Sequence, residues 1–303
     1  MVASIGWPVS LPRWRQRYLQ AQGRARDRRL LQTARRLRPD LALFLRGDAC
    51  SADVLTELKR LIRGPLVTWW VDDPWRFPGC AERLALYDHV FIFDRFYLPR
   101  LEAAGVARAH FLPCACDETV YRPMALRDSE RRRWASDVAF VAWGYPEREV
   151  VVRALADEVD VGVWGGGGSG LRAQRTATGT NVLRGPAVSS QTAAKIYNAS
   201  KMGLNIHAIQ TRIGGVNTRT FELLACGRFQ LVDRVAGVEE LLEPDAEIVC
   251  YRSPEEARAL ARRYLADPVT RNRIAAKGRE RVLAEHTYVC RMRTLLALAG
   301  AAP

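Results

Sequence analysis

Short apolar runs recur along this chain, separated by stretches with helical spacing. Residues 41–45 (Leu-Ala-Leu-Phe-Leu), 66–71, 90–93 and 109–112 are runs of strand length with almost no polar alternation. Such runs suit buried strands of a parallel sheet covered on both faces by helices. Between them, residues 51–62 read as a helix capped by Ser51, and residues 96–104 as one closed by Gly105. The rhythm resumes at residue 137. Runs at 137–142, 161–164, 202–207, 229–233 and 248–251 predict further strands, with helices over 147–157, 190–200, 238–242, 254–265, 268–285 and 287–299. Ahead of residue 40, Leu30, Leu31, Ala34 and Leu37 have helical spacing before Pro39.

The pattern divides the chain. Residues 119–136 carry Pro123 and a charged run, 127–133, without helical apolar spacing, which reads as a linker. The predicted domains are residues 1–123 and 137–285, joined by residues 124–136, with residues 286–303 as a final helix. No internal repeat is evident. The strands of the first half all end in polar residues: Arg46 and Asp48, Asp72 and Asp73, Asp94, then Cys114, Cys116 and Asp117. Parallel strands bring these ends to one carboxyl edge, where α/β sheets bind ligands. Asp72 and Asp73 precede Pro74, so they serve either a turn or the cleft.

Composition adds three constraints. A length of 303 residues, 48% apolar and 26% charged, is ample for two soluble domains. No run approaches the ~20 apolar residues of a membrane span, and the N-terminus lacks a signal-peptide core, which predicts a cytoplasmic protein. Seven scattered cysteines fit reduced thiols. His110, Cys114 and Cys116 lack a fourth ligand for a zinc site. The net charge of +13 is concentrated: between Arg13 and Arg38 there are ten arginines and one acid, interleaved at the start with Trp14, Tyr18 and Leu19. This segment fits either a solvated crossover helix or a contact with nucleic acid, a charged acceptor polymer or an anionic membrane, placing the protein peripherally at the inner membrane surface.

The chemistry concentrates between Asn205 and Arg234. A buried strand ends at His207; a loop with Gly214 and Gly215 follows; a helix begins at Asn217 or Thr218 and stops at Gly227; residues 229–233 form the next strand. Free N–H groups at that helix start, with the Arg219 fork in its first turn, suit a phosphate. Glu222 stands one turn in, with a carboxylate able to hold a ribose diol; alternatively Arg219 and Glu222 form an i, i+3 surface pair. His207 is placed to touch phosphate or sugar, or to be a satisfied structural group. Four glycines at 165–168 make a loop but no G-x-G-x-x-G fingerprint.

The segment Asn-Thr-Arg-Thr-Phe-Glu-Leu-Leu-Ala-Cys-Gly at 217–227, followed by Phe-Gln-Leu-Val-Asp-Arg, resembles the donor-site motif of GT-B glycosyltransferases, group 1, and more narrowly the CgeB-like (spore-maturation protein-like) proteins. Asp72-Asp73-Pro-Trp-Arg76 and Leu112-Pro-Cys-Ala-Cys-Asp117 with Tyr121-Arg-Pro123 are similar to the same family's N-terminal domain and its exit. The resemblance implies an α/β GT-B fold, two Rossmann-like domains with parallel sheets facing across a cleft, and a last helix crossing back to the first domain. It also implies an N-terminal strand, for which residues 2–6 are a poor candidate. It implies a nucleoside-diphosphate sugar as donor, bound by Gly144, Gly215, Asn217, Thr218, Arg219 and Glu222, with Glu222 on the ribose. Asp72, Asp73 and His207 are the candidate catalytic groups. No cofactor and no obligatory metal are expected, since Arg219 takes the place of the ion, and the motif leans towards retention of configuration. The alternatives are a nucleotide-sugar epimerase or phosphorylase on the same fold, or a non-enzymatic basic binder.

Overall fold

The computed structural model describes residues 13–46, 50–77, 79–165, 169–172, 174–207 and 214–300, with side chains from residue 23 onward. The candidate first strand, residues 2–6, and the glycines at 166–168 lie outside them. The N-terminal half runs α1 (Arg13–Leu37), β1 (Ala42–Leu45), α2 (Ala52–Leu61), β2 (Leu66–Trp70), α3 (Cys80–Leu84), β3 (His89–Ile92), α4 (Leu98–Ala103) and β4 (Ala109–Phe111). The four strands are parallel, in the order β1-β2-β3-β4. All of β2 and β3 is buried, as their unbroken apolar runs require. The run at 41–45 is a correction: β1 is an edge strand, only partly covered, and Leu45 is 71% exposed. Ser51 caps α2 by accepting from the Val54 N–H. Leu30, Leu31 and Ala34 turn α1 onto the core, and Arg35 pairs with Glu57 on α2. From residue 23 onward α1 is thus a helix packed on the core by one face, with its described arginines exposed on the other.

The C-terminal half contains α5 (Asp128–Trp134), β5 (Val138–Val141), α6 (Pro146–Ala156), β6 (Val161–Trp164), β7 (Leu183–Gly185), α7 (Ser190–Ala199), β8 (Met202–Asn205), α8 (Arg219–Ala225), β9 (Phe229–Asp233), α9 (Ala236–Leu241), β10 (Val249–Tyr251), α10 (Pro254–Ala266), α11 (Pro268–Glu285) and α12 (Tyr288–Ala299). Its six strands are parallel, ordered β10-β9-β8-β5-β6-β7. The chain builds outward from β5 to β7, then returns to the other side of β5 with β8. The crevice between β5 and β8 is therefore the strand-order switch, where open α/β sheets bind ligands. Gly227 closes α8 at φ +67, a conformation that suits glycine.

Three short elements, α3, β7 and α5, leave no clear mark in the hydrophobic pattern. The charged run at 127–133, expected to be non-helical, is the helix α5 with no buried residue. Trp134 packs it against the core and Trp164, and ion pairs join it to its neighbour. Glu130 accepts from the Arg127 N–H and pairs with Lys195 of α7, and these partners draw its carboxyl down to about 2.

The last helix returns to the first domain. Leu295 and Ala299 of α12 pack with Val67, Trp69, Phe91 and Leu112 of the N-terminal sheet. Arg291, 7% exposed, donates to the carbonyls of Pro113 (2.9 Å) and Glu285 (2.7 Å) and to His286 Nδ1 (2.7 Å). His286 Nε2 then donates to Leu241 O at 3.1 Å, so one buried pair ties β4's exit, α9 and α12 together. Burial and the Arg291 charge lower the His286 pKa to about 4. All seven cysteines are free thiols. Among the described residues no helix is long and apolar enough to cross a membrane, and no group of three or more His, Cys, Asp or Glu side chains is placed to hold a metal ion.

Candidate functional site

The site is built on the end of β8. Asn205, wholly buried, donates to Thr220 Oγ1 (3.0 Å) and accepts from Asn217 Nδ2 (2.9 Å) and Arg219 Nη1 (3.1 Å). Arg219 Nε donates across the crevice to Val141 O, the last residue of β5, at 2.8 Å. The guanidinium therefore spans the strand-order switch. Asn217, rather than Thr218, performs the capping: its Oδ1 accepts from the Thr220 N–H (3.2 Å), while Thr218 already has helical backbone angles and makes no side-chain cap. Arg219 forms these bonds instead of the surface pair with Glu222.

A second arginine joins it. Arg148, in the first turn of α6, is 6% exposed and donates from Nη1 to Trp143 O at 2.9 Å, while its Nε has no hydrogen-bond partner. Burial, then the nearby Arg219 charge, lowers its pKa to about 10. Two guanidiniums of like charge thus share one carboxyl edge. Among the described residues neither forms an ion pair with a carboxylate. Beside them His207, wholly buried, is gripped by Asp233 at the end of β9. The Nδ1–Oδ1 distance is 2.7 Å, and the His207 backbone N–H donates to the same carboxylate at 2.9 and 3.1 Å. Nδ1 thus faces the Asp233 carboxylate, and Nε2 is the ring atom left for a ligand. Nε2 is buried with no partner. Buried polar atoms are rarely left unmatched, and two at one strand-order switch mark a place where a ligand completes the set.

Glu222 lies one turn along α8, partly exposed. Burial raises its carboxyl pKa, opposed by the Arg219 charge and by hydrogen bonds from the Thr218 and Tyr121 hydroxyls. Tyr121 comes from the segment leaving the first domain, so Glu222 stands where the two domains meet.

Residues 147–297, about half the chain, match the family model described as glycosyl transferase-like. The spore protein CgeB of Bacillus subtilis (strain 168) is 21% identical over 262 residues, covering 82% of this chain and 80% of CgeB. Among solved structures, Anabaena HepE in complex with UDP superposes with a TM-score of 0.63 at 14% identity, covering 90% of this chain and 81% of HepE. Sucrose-phosphate synthase from Thermosynechococcus elongatus superposes with a TM-score of 0.58 at 18% identity, covering 86% and 72%. The chain is a GT-B glycosyltransferase.

Within this glycosyltransferase the remaining candidates separate. Asp72 and Asp73 are absorbed by a 3₁₀ turn, Pro74–Arg76. Asp73 caps the Trp75 N–H at 2.9 Å, and Asp72 accepts from the Asp73 N–H at 2.8 Å and pairs with Arg76. The cause is local: an acid before proline finds the backbone first, so the turn takes up part of each carboxylate's hydrogen-bonding capacity. Gly144 sits in the β5–α6 turn between the exposed Trp143 and Tyr145. Gly215 packs against the first domain, where a Cβ would collide with the Phe93 ring, and its N–H donates to Asp94 Oδ2 at 2.8 Å. His110 pairs with His89 (3.0 Å), not with Cys114 and Cys116, whose thiols burial pushes up to about 12. Asp233 and Tyr121 stand in the segments that resemble the family, without a role read from them, and Arg148 carries no mark of a site in the sequence. Arg148 stands in the same turn as Gly144, and only its burial sets it apart from the many surface arginines.

Proposed function

We propose that this glycosyltransferase takes its sugar from a nucleoside-diphosphate donor, uridine diphosphate being the first to test. It passes the sugar to an acceptor hydroxyl with retention of configuration and without an obligatory metal. The observation that carries this reading is the pair of guanidiniums at the β5–β8 crevice, Arg148 buried with its Nε unmatched and Arg219 half-buried beside it. The helix α8 is short, so its dipole is a minor contributor and the two arginines supply the positive charge. As the anomeric carbon–oxygen bond breaks, the departing diphosphate gains negative charge, and fixed guanidiniums stabilise it with little reorganisation. Glu222 accepts hydrogen bonds from the ribose hydroxyls, and His207 Nε2 forms one with the donor. Retention rests on the resemblance of the Glu222 motif. The choice of uridine rests on the HepE complex with UDP.

Calorimetry with UDP, GDP and ADP tests the reading. One of them is expected to bind with a Kd in the range of about 1 µM to 1 mM typical of substrates, unchanged by excess EDTA. No heat with any of the three overturns it, and binding abolished by EDTA overturns the metal-free part.

The outer face of α1 supports a finer reading of the partners. Arg24, Arg28, Arg29, Arg36 and Arg38 are all exposed, and such a ridge suits an anionic membrane surface. At roughly 1 kcal/mol per basic residue near such a surface, changing Arg28, Arg29 and Arg36 to glutamine should weaken sedimentation with phosphatidylserine vesicles about a hundredfold. Salt should weaken it too. Retention on duplex DNA in place of vesicles would assign the ridge to nucleic acid instead.

A further inference from the structure

A cavity of about 260 Å³ lies between the two domains and is lined by the Gly214–Gly215 turn. Its first-domain wall is aromatic: Phe93, Phe111 and Phe96, the last 46% exposed. Its polar groups are Asp94 and Arg95 from the end of β3 and Glu240 from α9. Arg95 lies over the Phe111 ring at 4.1 Å and forms an ion pair with Glu240 across the interdomain gap, so these two charges cancel. Asp94 is left as the net charge of the wall. It is 3% exposed and rigidly aimed, with Oδ1 accepting from the Phe96 N–H at 2.9 Å and Oδ2 from the Gly215 N–H at 2.8 Å.

Resting on the donor reading above, we propose that this cavity receives the acceptor, and that the reacting unit is a neutral sugar ring or a similar polyol. Four features argue for that class. The exposed Phe96 ring offers an apolar face to the C–H face of a sugar ring. The spare lone pairs of Asp94 accept from hydroxyls in a water-poor site. The volume is below the roughly 300–1,000 Å³ of pockets that enclose drug-sized ligands, which suits one ring. The wall is net negative although the chain carries +13, so a phosphate or carboxylate acceptor would face Asp94 unpaired. The location fits as well, because the glycine turn that lines the cavity leads within a few residues into Asn217 and Arg219 of the donor site. Asp94 is then a positioning residue that orients the acceptor hydroxyl.

The test is saturation-transfer difference NMR on the full chain with saturating UDP. The probes are the methyl glycosides of glucose, galactose, mannose and N-acetylglucosamine, with glucose 6-phosphate as the anionic counterpart. At least one neutral glycoside should show transfer and glucose 6-phosphate none. Phe96→Ala, a change at an exposed side chain, should reduce that transfer at least fivefold while leaving UDP affinity unchanged. Asp94→Asn should reduce it as well. No transfer to any neutral glycoside while UDP binds overturns the acceptor assignment alone. So does transfer indifferent to Phe96→Ala, or a preference for the sugar phosphate. UDP that does not bind overturns the donor reading, and this proposal with it.

Discussion

Replacing Arg219 with alanine is expected to lower kcat/KM by about 10²–10³-fold, the usual cost of deleting one donor aimed at developing charge. The side chain has two tasks: Nε and Nη1 hold Val141 O and Asn205, which leaves its remaining N–H groups for a phosphate. Alanine removes the charge and also unpins β5 from β8, so the melting temperature should fall as well. Lysine separates the two effects. It keeps a positive charge but cannot bond Val141 O and Asn205 as a planar fork while also meeting a phosphate. Arg219→Lys should therefore recover part of the UDP affinity and little of the turnover. Steady-state kinetics and calorimetry on both variants decide the matter; activity within threefold of the parent in Arg219→Ala would remove Arg219 from the donor site.

Glu222→Gln should have opposite effects on stability and on function. Burial holds the Glu222 carboxyl above its ordinary value of 4.5. The folded protein thus binds a proton there more tightly than the unfolded chain does. Stability contributed by that proton is present below the ordinary carboxyl range and is lost as pH rises through the raised folded value. Above the ordinary carboxyl range this group is therefore a burden on the empty protein, and the neutral amide is not. Glu222→Gln should raise the melting temperature of the ligand-free protein at pH 7 and flatten its decline with pH above 4.5. Donor binding should weaken by about 10–100-fold, since a hydrogen bond to a charged group is worth roughly 1.5–3 kcal/mol. Thermal melts across pH with and without UDP check both halves. A variant less stable than the parent, with full UDP affinity, would mean that the carboxylate serves the fold and not the ligand.

Both predictions concern one segment whose secondary structure is legible in the amino-acid sequence. A buried run, two glycines, a polar cap, an apolar helix face and a terminating glycine each act through contacts within a few residues. The strand count in each half is nearly complete for the same reason. Long apolar runs such as β2 and β3 declare themselves because burial on both faces excludes polar residues. The elements that the pattern misses are short and draw their stability from partners far along the chain. The helix α5 stands on Lys195, 65 residues after Glu130, and β7 exists because β6 offers it an edge.

The site divides in the same way. Sequence alone determined the α/β class, the two-part organisation, the glycine turn and the positions of Arg219 and Glu222, since these depend on local spacing and on the chemistry of each residue type. It left Asp72 and Asp73 with two roles of equal standing. Only the tertiary structure shows backbone N–H groups at both carboxylates, because that depends on how the chain turns around them. The same holds for Arg148, His207 with Asp233, and Asp94 against Gly215. The last two owe their character to burial and to a partner 26 or 121 residues away. Arg148 owes its character to burial without an ion pair among the described residues. Desolvation and pairing are properties of a place in space, and a linear pattern carries no measure of either.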